Sequence, residues 1–277
     1  MNIILTACNS GLYFRSTEML ISSIHKYSFD LIDEIKVLDL GLTHSELQTL
    51  SSYAKTNVVR LTDEVKRKYF KEYWYLKKYG WKVYFNYITS NEYKYRYSNI
   101  LWVDAGICFL KKLDGVFDIL DKDHFFIVES SDLVEEMTTS TCLGVMDAEC
   151  EDRITTGIQA GLVGHKSWGL YKGLIDDWYK YSKRSECLLD YGDDNHRWDQ
   201  SILSVLSSQY NVDKYDIEGF LYWYGGDDPN SPHYHIQSRY GSTGYPENCL
   251  SLHHRGTYLT EYDNLIKYIE KRPTCRN

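Results

Sequence analysis

One acidic residue stands where a strand of an α/β protein would present a binding or catalytic group. Residues 100–103 form a short apolar run of β-branched and aromatic side chains that predicts a buried strand. Asp104 ends this run, and Ala105 and Gly106 follow it with small side chains that let a ligand approach the backbone. Because open α/β sheets bind ligands beyond the carboxyl ends of their strands, Asp104 is a candidate site residue. The alternative is an ordinary turn aspartate that caps the next element.

Three more charged residues occur at positions that favour a site. Glu129 ends a second apolar run, and Asp199 stands at the predicted start of a helix. A carboxylate in either place could remove a proton from a hydroxyl group as a general base. Asp199 is also a good helix cap, since it can accept backbone N–H groups there. Lys82 begins another predicted helix, where it could contact a phosphate as a point charge or simply face solvent.

The composition is that of a globular protein with an ample core. The chain has 277 residues, of which 43% are hydrophobic and 25% charged. Its formal net charge of −8 argues against nucleic acid or an anionic membrane as the main partner. Seven dispersed cysteines, with no C-x-x-C pair, favour a reducing compartment, and no apolar run approaches the roughly 20 residues that span a bilayer. We therefore expect a cytoplasmic protein without a membrane span.

The order of predicted elements indicates a parallel sheet. Strands and helices alternate with short connections in the first part of the chain, at 3–7, 17–27, 34–40, 45–54 and 58–61. This order predicts a Rossmann-like sheet, but no G-x-G-x-x-G follows the first strand, which disfavours a dinucleotide cofactor. Further strands are predicted at 125–129, 156–165 and 250–256, and further helices at 80–88, 166–183, 201–209 and 257–277. Residues 130–153 lack periodicity and predict a functional or mobile loop.

Several of these stretches resemble one family. The run N-I-L-W-V-D-A-G-I-C-F-L-K-K-L-D-G-V-F at 99–117 closely resembles a segment of GT-A-fold glycosyltransferases, in which a D-x-D motif holds a divalent metal against a nucleotide-sugar diphosphate. Here Gly106 replaces the second acid. The V-L-D-L-G-L-T segment at 37–43, the Gly-rich strand at 156–165, the Asp199-Gln200 pair and the H-x-x-G spacing from His253 to Gly256 are similar to further segments of the family.

The resemblance implies a single GT-A (Rossmann-like) α/β domain over residues 1–277. Its nucleotide-binding half would cover 1–117 and its sugar and acceptor half 118–260, with a C-terminal helix and tail at 261–277. The activity implied is transfer of a sugar from a nucleoside-diphosphate sugar, with UDP favoured, to a hydroxyl of a glycan or glycoprotein. A divalent cation, Mn²⁺ or Mg²⁺, would be bound by Asp104 and His253.

The same resemblance implies the roles of the remaining site residues. Asp199 would be the general base of an inverting reaction, with Glu129 in reserve, whereas a retaining enzyme would use Asp199 only to orient the substrate. The carboxyl ends of the first strands and the Gly-rich strand would bind the substrates. The residues predicted for substrate binding are Ala7, Asn9, Asp39, Lys82, Asp104, Ala105, Gly106, Gln159, Ala160, Gly161, Gln200 and Arg255.

Two other functions remain open from the sequence. The first is a non-catalytic GT-A module that has lost metal binding and recognises glycans with its many aromatic side chains, among them 26 Tyr and 7 Trp. The second is a sugar nucleotidyltransferase on a similar sheet. That class normally carries a Gly-rich, basic loop directly after the first strand, and residues 9–11 match it poorly. Fold analogy alone does not decide the chemistry.

Overall fold

A computed structural model describes residues 1–63, 78–189, 195–216, 220–224, 250–254 and 266–272. Arg255 and most of the predicted C-terminal helix lie outside these residues. The strands are β1 (Asn2–Cys8), β2 (Glu34–Asp39), β3 (Thr56–Val59), β4 (Asn99–Val103), β5 (Ile107–Phe109), β6 (Phe125–Leu133), β7 (Thr156–Lys166), β8 (Leu221–Tyr224) and β9 (Ser251–His254). The helices are α1 (Leu12–Ser28), α2 (His44–Ser51), α3 (Gly80–Glu92), α4 (Asp114–Asp123), α5 (Ser140–Val145), α6 (Cys150–Arg153), α7 (Lys172–Ser182), α8 (Ser185–Leu188) and α9 (Asp199–Gln209).

The described strands form a central sheet of six in the order β3-β2-β1-β4-β7-β6. β1, β2 and β3 run parallel, with Ile3 opposite Glu34 in the first pair. β6 and β7 are antiparallel, with Phe125 opposite His165. The chain is thus a mixed α/β domain with a mostly parallel central sheet flanked by helices, which confirms the predicted fold class. Within the described residues, no helix combines the length and apolar character needed to cross a membrane.

Contacts divide the chain into two compact units that interleave along the sequence. Unit 1 contains Met1–Arg60, Val103–Phe117 and Asp216–Asn277. Unit 2 contains Leu61–Trp102 and Asp118–Tyr215. The predicted division at residues 117 and 260 stays a prediction.

Unit 1 holds β1, β2 and β3 together with a second sheet in the order β5-β9-β8. α1 packs against β1 and β5. Two hydroxyls of α1 fix the chain around and after β5: Ser23 Oγ accepts the Phe109 amide at 3.0 Å, and Ser28 Oγ accepts the Leu113 amide at 3.0 Å. Because these serines are buried, the bonds satisfy backbone groups that water does not reach. They hold the segment after Asp104 against the helix.

Unit 2 is built on β6 and β7 and on helices that cover them. α9 packs against β7, and α7 packs against both α3 and α9. The large rings of Trp102 and Trp178 are fully buried in its core. The indole Nε1 of Trp178 donates to the Asp199 carbonyl at 3.0 Å, so the core residue fixes the first residue of α9. This contact positions one of the predicted site residues.

A capping box stabilises the start of α2. Thr43 Oγ1 accepts the Glu46 amide at 3.3 Å, and Glu46 Oε2 accepts the Thr43 amide at 2.8 Å. These two bonds satisfy N–H groups that have no partner inside the helix. The predicted helix at 45–54 is confirmed, although it begins at His44 and ends at Ser51.

Two predictions for the second half of the chain were wrong. The supposed loop at 130–153 contains the end of β6 and the helices α5 and α6, which have only six and four residues and are too short to show periodicity. The helix predicted at 166–183 begins only at Lys172. Gly169 has φ +141°, a conformation that does not continue a helix, and Trp168 lies outside the helix with 46% of its surface exposed.

Candidate active site

Asp104 lies directly after β4, in a tight turn. Its carbonyl accepts the Ile107 amide at 2.9 Å, so Ala105 and Gly106 are the central residues of a four-residue turn. Ala105 is buried, whereas Asp104 is half-buried. The turn carries the chain from the central sheet into β5 and leaves the Asp104 side chain at the carboxyl end of the strand, where the sequence predicted it.

The second predicted metal ligand belongs to the same unit. His253 lies on β9, directly opposite Ile107 of the antiparallel β5. Because the turn holds Asp104 and Ile107 within about 7 Å, the backbone brings Asp104 and His253 into one neighbourhood. Within the described residues, however, no group of three His, Cys, Asp or Glu side chains could hold a metal. Asp104 and His253 by themselves would supply two ligands, so a divalent cation bound there would need further oxygen ligands, such as those of a bound diphosphate.

The ends of β1 and β2 are joined at the predicted donor side. The Leu40 amide donates to the Cys8 carbonyl at 2.8 Å. Ala7 is buried and Asn9 half-buried, and Asn9 Oδ1 is a buried acceptor with no partner among the described residues. Tyr13, which the sequence did not single out, follows in the first turn of α1 with 49% of its surface exposed. An exposed ring at this edge can stack on a flat base.

Asp39 shapes the loop after β2. Its Oδ1 accepts the amides of Gly41 and Leu42 at 2.9 and 2.8 Å, and its Oδ2 accepts Arg60 Nε at 2.8 Å. Burial alone would raise the pKa of Asp39, but these hydrogen bonds and the Arg60 charge outweigh it and hold the pKa below its usual value. The carboxylate is therefore ionised at neutral pH and already engaged. Its predicted contact with a donor stays a prediction.

Unit 2 contains a buried ion pair between Lys82 and Asp199. Lys82 Nζ lies 3.1 Å from Asp199 Oδ2, and the two side chains are only 4% and 3% exposed. The same Nζ donates to the Ala160 carbonyl at 3.2 Å. Lys82 belongs to the first turn of α3 and Asp199 is the first residue of α9, so both helix starts and β7 converge here. The structure thus brings together three residues that were predicted separately.

The other predicted residues of unit 2 are placed as follows. Gln159, half-buried on β7, donates from Nε2 to Ser130 Oγ at 3.3 Å. Gly161 and Gln200 are half-buried as well. Glu129 is half-buried on β6 and accepts Thr156 Oγ1 at 3.4 Å. Glu129 also interacts electrostatically with Lys214, whereas Asp199 Oδ2 is paired with Lys82 Nζ at 3.1 Å.

Sequence reasoning missed the aromatic residues around the ion pair. Lys82 Nζ lies 5.2 Å from the ring centre of Tyr79 and 5.4 Å from that of Trp102. Trp198, directly before Asp199, contacts Tyr79. Their signal in the sequence was an aromatic residue immediately before each helix start, where a capping Ser, Thr, Asp or Asn would be expected.

Comparison with known proteins identifies the fold. No family model and no curated protein matches the sequence. Among solved structures, the WbbM bifunctional glycosyltransferase matches with a TM-score of 0.60 and 13% identity over 98% of this chain, which spans only 50% of that protein. The galactosyltransferase LgtC, in complex with donor and acceptor sugar analogues, matches with a TM-score of 0.56 and 15% identity over 99% of this chain and 98% of its own.

A mouse enzyme gives the same result. Xyloside xylosyltransferase 1 matches with a TM-score of 0.58 and 10% identity over 92% of this chain and 98% of its own. Such low identities establish the fold and not the reaction. The chain has the GT-A fold that the sequence resemblance implied.

Proposed function

We propose that this chain is a glycosyltransferase that moves a sugar from a nucleoside-diphosphate sugar, with UDP favoured, to a hydroxyl of a glycan or glycoprotein. The observation that carries the proposal is the buried pair of Lys82 and Asp199 at the starts of two helices beside β7, in a chain with the GT-A fold. Burying two charges is costly, and proteins keep such pairs mainly where geometry or function requires them. Lys82 can donate a hydrogen bond to a hydroxyl group of a substrate, and Asp199 can accept one.

Each residue then has a defined task. Asp104 and His253 would hold a divalent cation, which stabilises the charge of the departing diphosphate when it is bound. Tyr13 and Asn9 would contact the nucleotide beyond β1. Asp199 would face the sugar, and in an inverting reaction it would accept the acceptor's proton, with Glu129 as the alternative base. Arg255, outside the described residues, would offset the charge of the diphosphate.

The decisive experiment measures nucleotide release and product formation. The protein is incubated with a panel of nucleotide-sugars, with Mn²⁺, with Mg²⁺ and with EDTA, and the products are identified by mass spectrometry. We expect release of a nucleoside diphosphate that depends on metal, and weak metal binding that strengthens greatly when the nucleotide is present. If the protein binds glycans but releases nucleotide from no donor, the non-catalytic glycan-binding module is correct instead.

The role of Asp199 is tested by Asp199→Asn, which keeps the size of the side chain and removes its charge. Because this change also breaks the buried pair with Lys82, thermal melting must show that the variant is folded at the assay temperature. If Asp199 is the base, kcat should fall by roughly 10²–10⁴ while nucleotide affinity is retained. Glu129→Gln is the matched comparison, since Glu129 is the alternative base. Near-normal turnover of Asp199→Asn, or retention of the anomeric configuration by NMR, would exclude this role for Asp199.

A further inference from the structure

Two aromatic residues of unit 2 have backbone conformations that bulky side chains rarely adopt. Tyr79 precedes α3 with φ 56° and ψ 11°, and Trp198 precedes α9 with φ 49° and ψ −114°. Neither side chain makes a capping hydrogen bond to its helix. Such conformations persist only where the surroundings enforce them, and they concentrate at functional sites. Each of the two helix starts that carry the ion pair is therefore preceded by a residue with a strained backbone.

The two strained residues contact each other through their rings. The ring centres of Tyr79 and Trp198 are 5.7 Å apart, with 43° between the planes. Trp81 adjoins the pair, with its ring centre 5.7 Å from that of Tyr79. Tyr79 and Trp198 are half-buried, whereas Trp81 and Lys82 are buried. The result is a partly exposed aromatic surface that borders the buried Lys82–Asp199 pair, and we refer to Tyr79 and Trp198 as the aromatic platform.

Two nitrogen donors beside this platform have no acceptor among the described residues. They are Trp81 Nε1, on a residue that is only 6% exposed, and Nε2 of Gln200, which directly follows Asp199. A buried donor without a partner is unfavourable, and it calls for an explanation such as a bound water or ligand. Each of these N–H groups can donate a hydrogen bond to an oxygen atom of a ligand. The platform thus combines apolar ring faces with hydrogen-bonding groups of both kinds at its border.

We propose that the aromatic platform stacks against the apolar face of one pyranose ring, whose hydroxyls are bound by Asp199, Lys82 and Gln200. A pyranose has a face of C–H groups and an edge of hydroxyls, which matches rings bordered by a carboxylate, an ammonium and an amide. The inference rests on the proposed glycosyl transfer and adds the residues that select the sugar. The ring belongs either to the acceptor glycan or to the sugar of the donor, and binding measurements separate these sources.

The test compares variants at Trp198 by NMR saturation transfer and titration. The ligands are methyl pyranosides, which represent an acceptor sugar, a UDP-sugar, and UDP alone. Trp198→Tyr keeps a ring and should keep binding, whereas Trp198→Leu and Tyr79→Leu should weaken pyranoside binding roughly tenfold. Tyr95→Leu is the matched control, because Tyr95 is an 83% exposed aromatic residue of the same unit outside the platform. Thermal melting confirms that each variant is folded.

The outcomes are distinct. Loss of methyl pyranoside binding in Trp198→Leu, with UDP affinity unchanged, supports a platform for the acceptor sugar. Weaker binding of the UDP-sugar alone, with UDP unchanged, supports a platform for the donor sugar. Equal sugar binding by the wild type and Trp198→Leu, or a matching loss of affinity for UDP itself, overturns the proposal. Because these measurements need no turnover, they remain informative if the protein hydrolyses no donor. Weaker pyranoside binding by Trp198→Leu in a protein without transferase activity would refute only the proposed function.

Discussion

Removing the positive charge from the buried ion pair should destabilise the protein strongly. Lys82→Met keeps the length and apolar stem of the side chain but leaves the Asp199 carboxylate, which is 3% exposed, without the ammonium 3.1 Å away. Breaking a buried pair in this way costs about 3–5 kcal/mol of unfolding free energy. The variant also removes the donor of the Ala160 carbonyl. In a domain of this size, the loss corresponds to a fall in Tm of roughly 10 °C.

The assay is urea unfolding at pH 7 of wild type, Lys82→Met, Asp199→Asn and the double variant. The double variant buries no charge, so its destabilisation should be smaller than the sum of the single values by about 1–3 kcal/mol. Lys180→Met is the control, because the Lys180–Asp177 pair is 61% and 33% exposed and should contribute less than about 0.5 kcal/mol. A cost below about 1 kcal/mol for Lys82→Met, or additive single effects, would refute a structural coupling of the two charges.

Two further predictions concern stability. Burial lowers the pKa of His25 to about 4, and its Nδ1 accepts the Glu270 amide at 2.9 Å, so the folded state resists protonation. As the pH falls from about 6.5 towards 4, the unfolded state takes up the proton first, and up to about 3 kcal/mol of unfolding free energy should be lost. The unfolding free energy is measured as a function of pH for the wild type and for His25→Gln. An equal pH dependence in both proteins would contradict this role of His25. Gly157→Ala should destabilise the protein by about 1–3 kcal/mol in thermal melts, because a Cβ at this position would lie 2.1 Å from Sδ of the buried Met137. Gly144→Ala in α5 is the control. Its Cβ would meet no atom within 4 Å, so this variant should be neutral or stabilising. Equal melting temperatures of the two glycine variants would argue against this packing.

The sequence predicted those features that depend on nearby residues. The apolar run before Asp104 and the helical pattern after residue 43 are local, and the strand and the helix were both found where expected. The pairing of Lys82 with Asp199 could not be read in the same way, because it joins residues far apart in the sequence through tertiary packing. The positive φ of Trp198 was equally hidden, since no glycine marks the position.

The pairing of β5 with β9 has a consequence for the order of folding. Ile107 and His253 lie opposite each other although about 145 residues separate them, and closing so long a loop costs on the order of 4 kcal/mol of chain entropy. During synthesis, the strand that carries His253 leaves the ribosome long after the Asp104 turn. Contacts of such high sequence separation form slowly. The pairing of β5 with β9 beside the proposed metal site can therefore be completed only after both residues of the buried pair of unit 2 have been synthesised.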